Sequence, residues 1–166
     1  MKVELTLNGR PARWEAAPGA TLLAVLRDEG LVAAKRGCET GDCGACTVLL
    51  DGQPVNSCVV AAARAHGHRV TTIEGLGADP LMQQLQAALV EHAGVQCGYC
   101  SPGMLVSLYH LLRECRAAGA PPGEHAIREA LSGNLCRCTG YVKPVAAAAA
   151  VAAALAAMPA AGTGAR

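Results

Sequence analysis

Phenylalanine is absent from the 166 residues, tryptophan occurs once and tyrosine three times. A core of stacked aromatics is therefore excluded, and packing falls to Leu, Val, Ile, Met and the many Ala. Runs of Lys or Arg are also missing, and the formal charge is only +1, so the basic footprint of a nucleic-acid-binding protein is lacking. Long apolar runs are scarce as well. The longest, Val145 to Met158, falls short of the ~20 residues that span a bilayer and is mostly Ala, which inserts weakly. We expect a packed helix there and no membrane partner. The opening MKVELTLNGR has neither an apolar signal core nor twin arginines, so the expected location is cytoplasmic. No nucleophile motif, phosphate loop or dinucleotide fingerprint occurs. The histidines offer nothing beyond a bare H-x-H at His66 and His68, and Glu91 beside His92 is weak as an acid/base pair.

What the chain does have is cysteine, nine in all. In a reducing compartment such a number points to thiolates serving metal or redox chemistry in preference to disulfides. The length allows one medium domain or two small ones, and the texture changes midway. In the first half Val3, Leu5 and Leu7 alternate, Asn8-Gly9 predicts a type I′ turn, and Ala12 and Trp14 return on the same face. Thr21 predicts a cap on a helix running through LLAVLRDE to Gly30, and TVLLDGQPV predicts a second hairpin turning at Asp51-Gly52.

Beyond Gly77 the spacing becomes helical. Asp79 and Pro80 open a segment with Leu81, Leu85 and Leu89 on one face. Ser101-Pro102 opens another, whose stripe of Met104, Leu105, Leu108, Leu111, Leu112 and Cys115 predicts a buried thiol at Cys115. Helices near 124–132 and 141–158 complete four, enough for a small bundle. The domain boundaries expected are 1–76 and 77–158, with a disordered tail over 159–166.

Eight of the cysteines sort into two sets. Cys38, Cys43, Cys46 and Cys58 are spaced C-x₄-C-x₂-C-x₁₁-C, the plant-type [2Fe–2S] pattern, in which one tight loop provides three thiolates and a nearby strand the fourth. Gly37, Gly41 and Gly44 would let that loop bring N–H groups close to sulfur. A structural zinc site is the alternative, but a zinc ribbon requires a second C-x₂-C further on, and Cys58 stands alone. Cys97 and Cys100, then Cys136 and Cys138, are spaced C-x₂-C-x₃₅-C-x-C. Both pairs precede helix starts, where free N–H groups favour an anion. Zinc is a more serious alternative at this second set. Two oxidised clusters, each about −2, would take the chain from +1 to about −3, with Lys35, Arg36 and Arg137 as nearby counterweights.

The stretches GCETGDCGACTVLLDG, QCGYCSPGM and LSGNLCRCTGY resemble the iron–sulfur subunit of the molybdenum hydroxylases, the family of xanthine dehydrogenase, aldehyde oxidase and carbon monoxide dehydrogenase. The resemblance covers residues 1 to about 157. It implies an α+β fold, a β-grasp ferredoxin-like domain followed by a four-helix-bundle domain, each holding one [2Fe–2S] cluster. It implies partners: a large subunit carrying molybdenum and a molybdopterin-type cofactor, and a medium subunit carrying FAD, in a hetero-oligomer such as a dimer of heterotrimers. The implied function is electron transfer from the molybdenum centre to FAD or another acceptor, with no catalytic residue on this chain. Gln96 and Cys138 match positions lying against the pterin in relatives. Pro144 departs from the apolar residue usual there, at a point in a first helical turn where proline is tolerated. A free-standing ferredoxin-type carrier is the other functional reading, which the second cysteine set disfavours.

Overall fold

Chain reversal at Asn8-Gly9 rests on positive φ at both residues, 49° and 79°, the geometry whose twist suits the flanking strands. β1 (Lys2–Leu7) and β2 (Arg10–Glu15) pair antiparallel, with Val3 opposite Trp14 and Leu5 opposite Ala12. Asp51-Gly52 repeats the device, φ 50° and 84°, between β3 (Thr47–Leu50) and β4 (Gln53–Asn56). β5 (Arg69–Thr71) lies parallel to β1 and antiparallel to β3, completing a five-stranded sheet of order β2-β1-β5-β3-β4. α1 (Leu22–Asp28) starts where Thr21 Oγ1 accepts the Ala24 N–H at 3.2 Å, and it buries Leu22, Leu23, Val25 and Leu26 against that sheet. The structure, a computed structural model, describes residues 1–157; the tail expected over 159–166 lies outside the described residues.

The helical part begins with a single turn that periodicity did not announce, α2 (Ile73–Leu76). α3 (Pro80–Glu91) follows, capped by Asp79, which accepts from Leu81 N at 2.8 Å and from the Tyr109 hydroxyl at 2.8 Å. α4 (Ser101–Ala118), α5 (Glu124–Leu131) and α6 (Val142–Ala157) complete the described helices. Leu81, Leu85, Leu89, Leu108, Leu112 and Ile127 fill their common core, and Ala147, Ala148 and Ala152 let α6 close on it. Truncating a leucine such as Leu108 to Ala would cost about 2–5 kcal/mol. Pro144 sits buried in the first turn of α6, where its missing N–H has no intrahelical partner to lose.

One feature arises from contacts between the halves, and one correction from within the helical half. β3 serves both cores, since Val48 packs with the sheet core and Leu49 with the helices. That follows from strand alternation once α4 covers the second face of the sheet. His110 and Arg113 on α4 hold Gly52 O at 3.0 and 3.3 Å, which places a proton on His110 Nδ1. Cys115, expected in the core, is only half-buried and lines a cavity of about 300 Å³ beside Arg116 and Leu155. The cavity lies between the C-terminal turns of α4 and α6 and the connection over 119–122, so packing does not close over the thiol. No helix among the described residues is long and apolar enough to cross a membrane.

Candidate metal centres

The first cysteine loop is built from its own backbone. Cys38 Sγ receives N–H groups from Thr40 at 3.4 Å, Asp42 at 3.3 Å and Cys43 at 3.3 Å, while Cys38 N–H points back to Cys43 Sγ at 3.4 Å. Gly41 and Gly44 make this turn at φ 89° and 65°. Gly37 is required for a different reason, because a Cβ there would stand 2.5 Å from Cys43 Sγ. Such donors favour the thiolate. The hydroxyl of Thr40, then the N–H groups of Thr40 and Cys43, lower Cys38 to a pKa of about 6. Cys46 and Cys58 are buried, and burial, followed by the neighbouring Cys46 thiol, pushes Cys58 up to about 11. Asn56 ties the loop to β4 through Gly41 O, and Ser57 Oγ holds Cys46 O at 2.7 Å.

The second set gathers from two connections, α3 to α4 and α5 to α6. Cys97 and Cys138 are exposed and their sulfurs lie 3.6 Å apart; hydrogen bonding with Cys97 raises the Cys138 pKa. Cys100 and Cys136 lie deeper. Burial, then Cys136, pushes Cys100 up to about 12. At Cys136 burial acts to raise the pKa, but the Thr139 hydroxyl, 3.1 Å from Sγ, and the N–H groups of Thr139 and Cys138 outweigh it and leave the thiol lowered. Tyr141, at φ 68° just before α6, accepts the Cys136 N–H at 2.8 Å and donates to Asn134 O at 3.1 Å. Gln96 Nε2 donates to Cys138 O at 3.1 Å, so the residue singled out beside Cys97 is tied to the opposite ligand loop.

The two sets also touch. Leu135 N–H donates to Cys43 O at 2.9 Å, and the Tyr99 hydroxyl donates to Arg36 O. Asn134, buried among these loops, and its partner Ser107 on α4 carry no local signal, since their meaning lies in residues far away in sequence. The expected counterweights Lys35 and Arg36 direct donors elsewhere, to Val32 O and Glu39, and Arg137 is exposed. The histidines serve other contacts; His68 pairs with Asp51 at 2.5 Å and His66 Nδ1 accepts from Glu4 N. No three His, Cys, Asp or Glu side chains among the described residues close on a single-ion geometry.

Each set therefore offers four thiols, N–H or hydroxyl donors aimed at sulfur, and in the first loop a cradle too tight for a Cβ. These residues fit an anionic iron–sulfur group, whose thiolate ligands such donors stabilise.

Residues 5–72 match the family described as "2Fe-2S iron-sulfur cluster binding domain", and residues 72–149 the family described as "[2Fe-2S] binding domain". The chain is 42% identical over 139 residues to the xanthine dehydrogenase iron-sulfur-binding subunit of Escherichia coli O157:H7, covering 84% of this chain and 86% of that protein. It is 42% identical over 142 residues to the nicotinate dehydrogenase small FeS subunit of Eubacterium barkeri, covering 85% and 88%. Among solved structures, quinoline 2-oxidoreductase from Pseudomonas putida 86 aligns with a TM-score of 0.85 at 40% identity, over 93% of this chain and 95% of that one. Aldehyde oxidoreductase from Desulfovibrio gigas aligns with a TM-score of 0.83 at 40% identity, over 93% of this chain and 17% of that longer one.

Proposed function

Because this chain belongs to the family of iron–sulfur subunits of the molybdenum hydroxylases, we propose that it conducts electrons between a molybdenum centre on a large partner subunit and FAD, or another acceptor, on a further one. The supporting observation is the gathering of eight thiols into two groups of four on a short chain. We assign Cys38, Cys43, Cys46 and Cys58 to one [2Fe–2S] cluster and Cys97, Cys100, Cys136 and Cys138 to the other. Each cluster, when bound, would supply a site that accepts and releases a single electron.

What the chain's own residues do follows from their positions. The main-chain N–H groups around Cys38 hold negative charge on sulfur; the Thr139 hydroxyl and the N–H groups of Thr139 and Cys138 do so for Cys136, while Tyr141 fixes the Cys136 main chain by accepting its N–H. Metal binding must release the protons that burial keeps on Cys58 and Cys100, which makes loading easier as pH rises. Gln96 holds Cys138 O on an exposed face, and Leu135, 56% exposed, and Val142, 65% exposed, are near Cys138 in sequence. We assign this face to the molybdenum subunit, with Gln96 and Cys138 toward its pterin cofactor, in a hetero-oligomer. The domain reading that goes with it is a β-grasp unit over 1–76 and a four-helix unit over 77–158. Eight cysteines assigned as metal ligands in place of disulfides go with a cytoplasmic setting.

The test is purification of the intact complex. About four irons and four sulfides per copy of this chain, with two EPR signals on reduction, are expected. About two irons, zinc in their place, or a chain that runs alone on size exclusion would overturn the reading.

A further inference from the structure

The two cysteine loops meet with no space between them. A Cβ on Gly103 would stand 2.2 Å from Gly44 O, and one on Gly44 would stand 2.2 Å from Gly133 O and 2.5 Å from Asn134 Nδ2. Asn134 occupies the centre of this contact at 3% exposure. Its Nδ2 donates to Gly44 O at 3.0 Å and to Thr47 Oγ1 at 3.3 Å, and its Oδ1 accepts from Ser107 Oγ at 2.7 Å. Gly44 O can only accept and Thr47 already donates its hydroxyl proton to that same carbonyl, at 2.7 Å, so the position requires an NH₂ group. The residues on either side of the amide complete the link: Leu135 N–H holds Cys43 O, and the Tyr141 hydroxyl holds Asn134 O.

We propose that Asn134 is a positioning residue which locks the Cys43–Cys46 turn against the Cys136 loop and thereby sets the separation and orientation of the two cluster sites. This rests on the reading that the eight cysteines hold two clusters. Its physical content is that an amide on the helical side governs the geometry of a site on the sheet side. A buried, fully engaged amide is suited to this, because no other arrangement satisfies all of its partners. An aspartate of the same shape would face Gly44 O and Thr47 Oγ1 with oxygen in place of the donor, leaving both loops to move apart.

The test uses the assembled complex, reduced and examined by EPR, with unaltered chain, Asn134→Asp and Ser107→Ala. Dipolar splitting between two reduced clusters falls as the cube of their separation, so it reads the joint directly. We expect Asn134→Asp to reduce the splitting and to shift the signals of both clusters, including the one held by Cys38 to Cys58. Ser107→Ala should shift the same observables less. A splitting and first-cluster signal identical to those of the unaltered complex, with only the second signal moved, would overturn the proposal and leave Asn134 a local structural residue. Should Asn134→Asp fail to assemble, Ser107→Ala decides by the same criterion. Absence of one signal in the unaltered complex would instead refute the two-cluster reading itself.

Discussion

In the first cysteine loop, main-chain N–H groups from three residues, all within five positions of Cys38, converge on its Sγ. At the second site the Thr139 hydroxyl and the N–H groups of Thr139 and Cys138 serve the Cys136 sulfur, and the loop that carries it is held by a side chain, the Tyr141 hydroxyl, which accepts the Cys136 N–H and donates to Asn134 O. The thiols differ in the same sense: Cys46 and Cys58 are buried inside a continuous strand-and-loop segment, whereas Cys97 and Cys138 face solvent and meet across two separate connections. A loop that supplies its own donors keeps its geometry as long as its turn survives. A site assembled from two helix starts depends on the packing of α3, α4, α5 and α6, and should be the first to fail when that packing loosens.

The sharpest way to break this comparison is to remove one ligand from each side. Cys58→Ser and Cys138→Ser should each lower iron from about four to about two per chain and leave the opposite EPR signal in place. Loss of both signals from either folded variant would show that the sites are not separable. Gly37→Ala comes next, since its Cβ would stand 2.5 Å from Cys43 Sγ. It should lower loading of the first site several-fold, read by its EPR amplitude, and spare the second.

Tyr141→Phe probes the dependence on side chains. It strands the Cys136 N–H and the Asn134 carbonyl, at a cost of about 1–3 kcal/mol. In a urea titration followed at each cluster's own signal, the second should bleach at lower urea than before while the first holds its midpoint. The smallest effect is expected at Asp51, remote from the cysteines. The Arg69 N–H, at 2.8 Å, and then His68 hold its carboxyl below the ordinary 3.8. Its contribution to stability is therefore complete above that value and is lost as pH falls through the depressed one. Asp51→Asn should flatten that part of the acid-unfolding curve and move neither cluster signal, giving a baseline for the other variants.

Much of this was legible in the sequence because it is local. Asn8-Gly9 and Asp51-Gly52 specify their turns, Thr21 and Asp79 announce their helices, and the cysteine intervals separate the two sets before any contact is known. The rest depends on what meets what. Cys115 follows the apolar stripe of α4 yet borders a cavity left between the ends of α4 and α6. Leu49 reads as an ordinary strand residue, and only the placement of α4 reveals that it belongs to the helical core. Asn134 is 90 residues from Gly44, a distance at which periodicity carries no information.

β3 has one more consequence. Because adjacent residues Val48 and Leu49 answer to different cores, a slip of the strand by a single residue would misplace apolar groups on both faces at once. The error would be felt twice, and corrected from two directions. Cys46 sits immediately before this strand, so the placement of a candidate iron ligand is proofread by leucine and valine packing that never touches the metal.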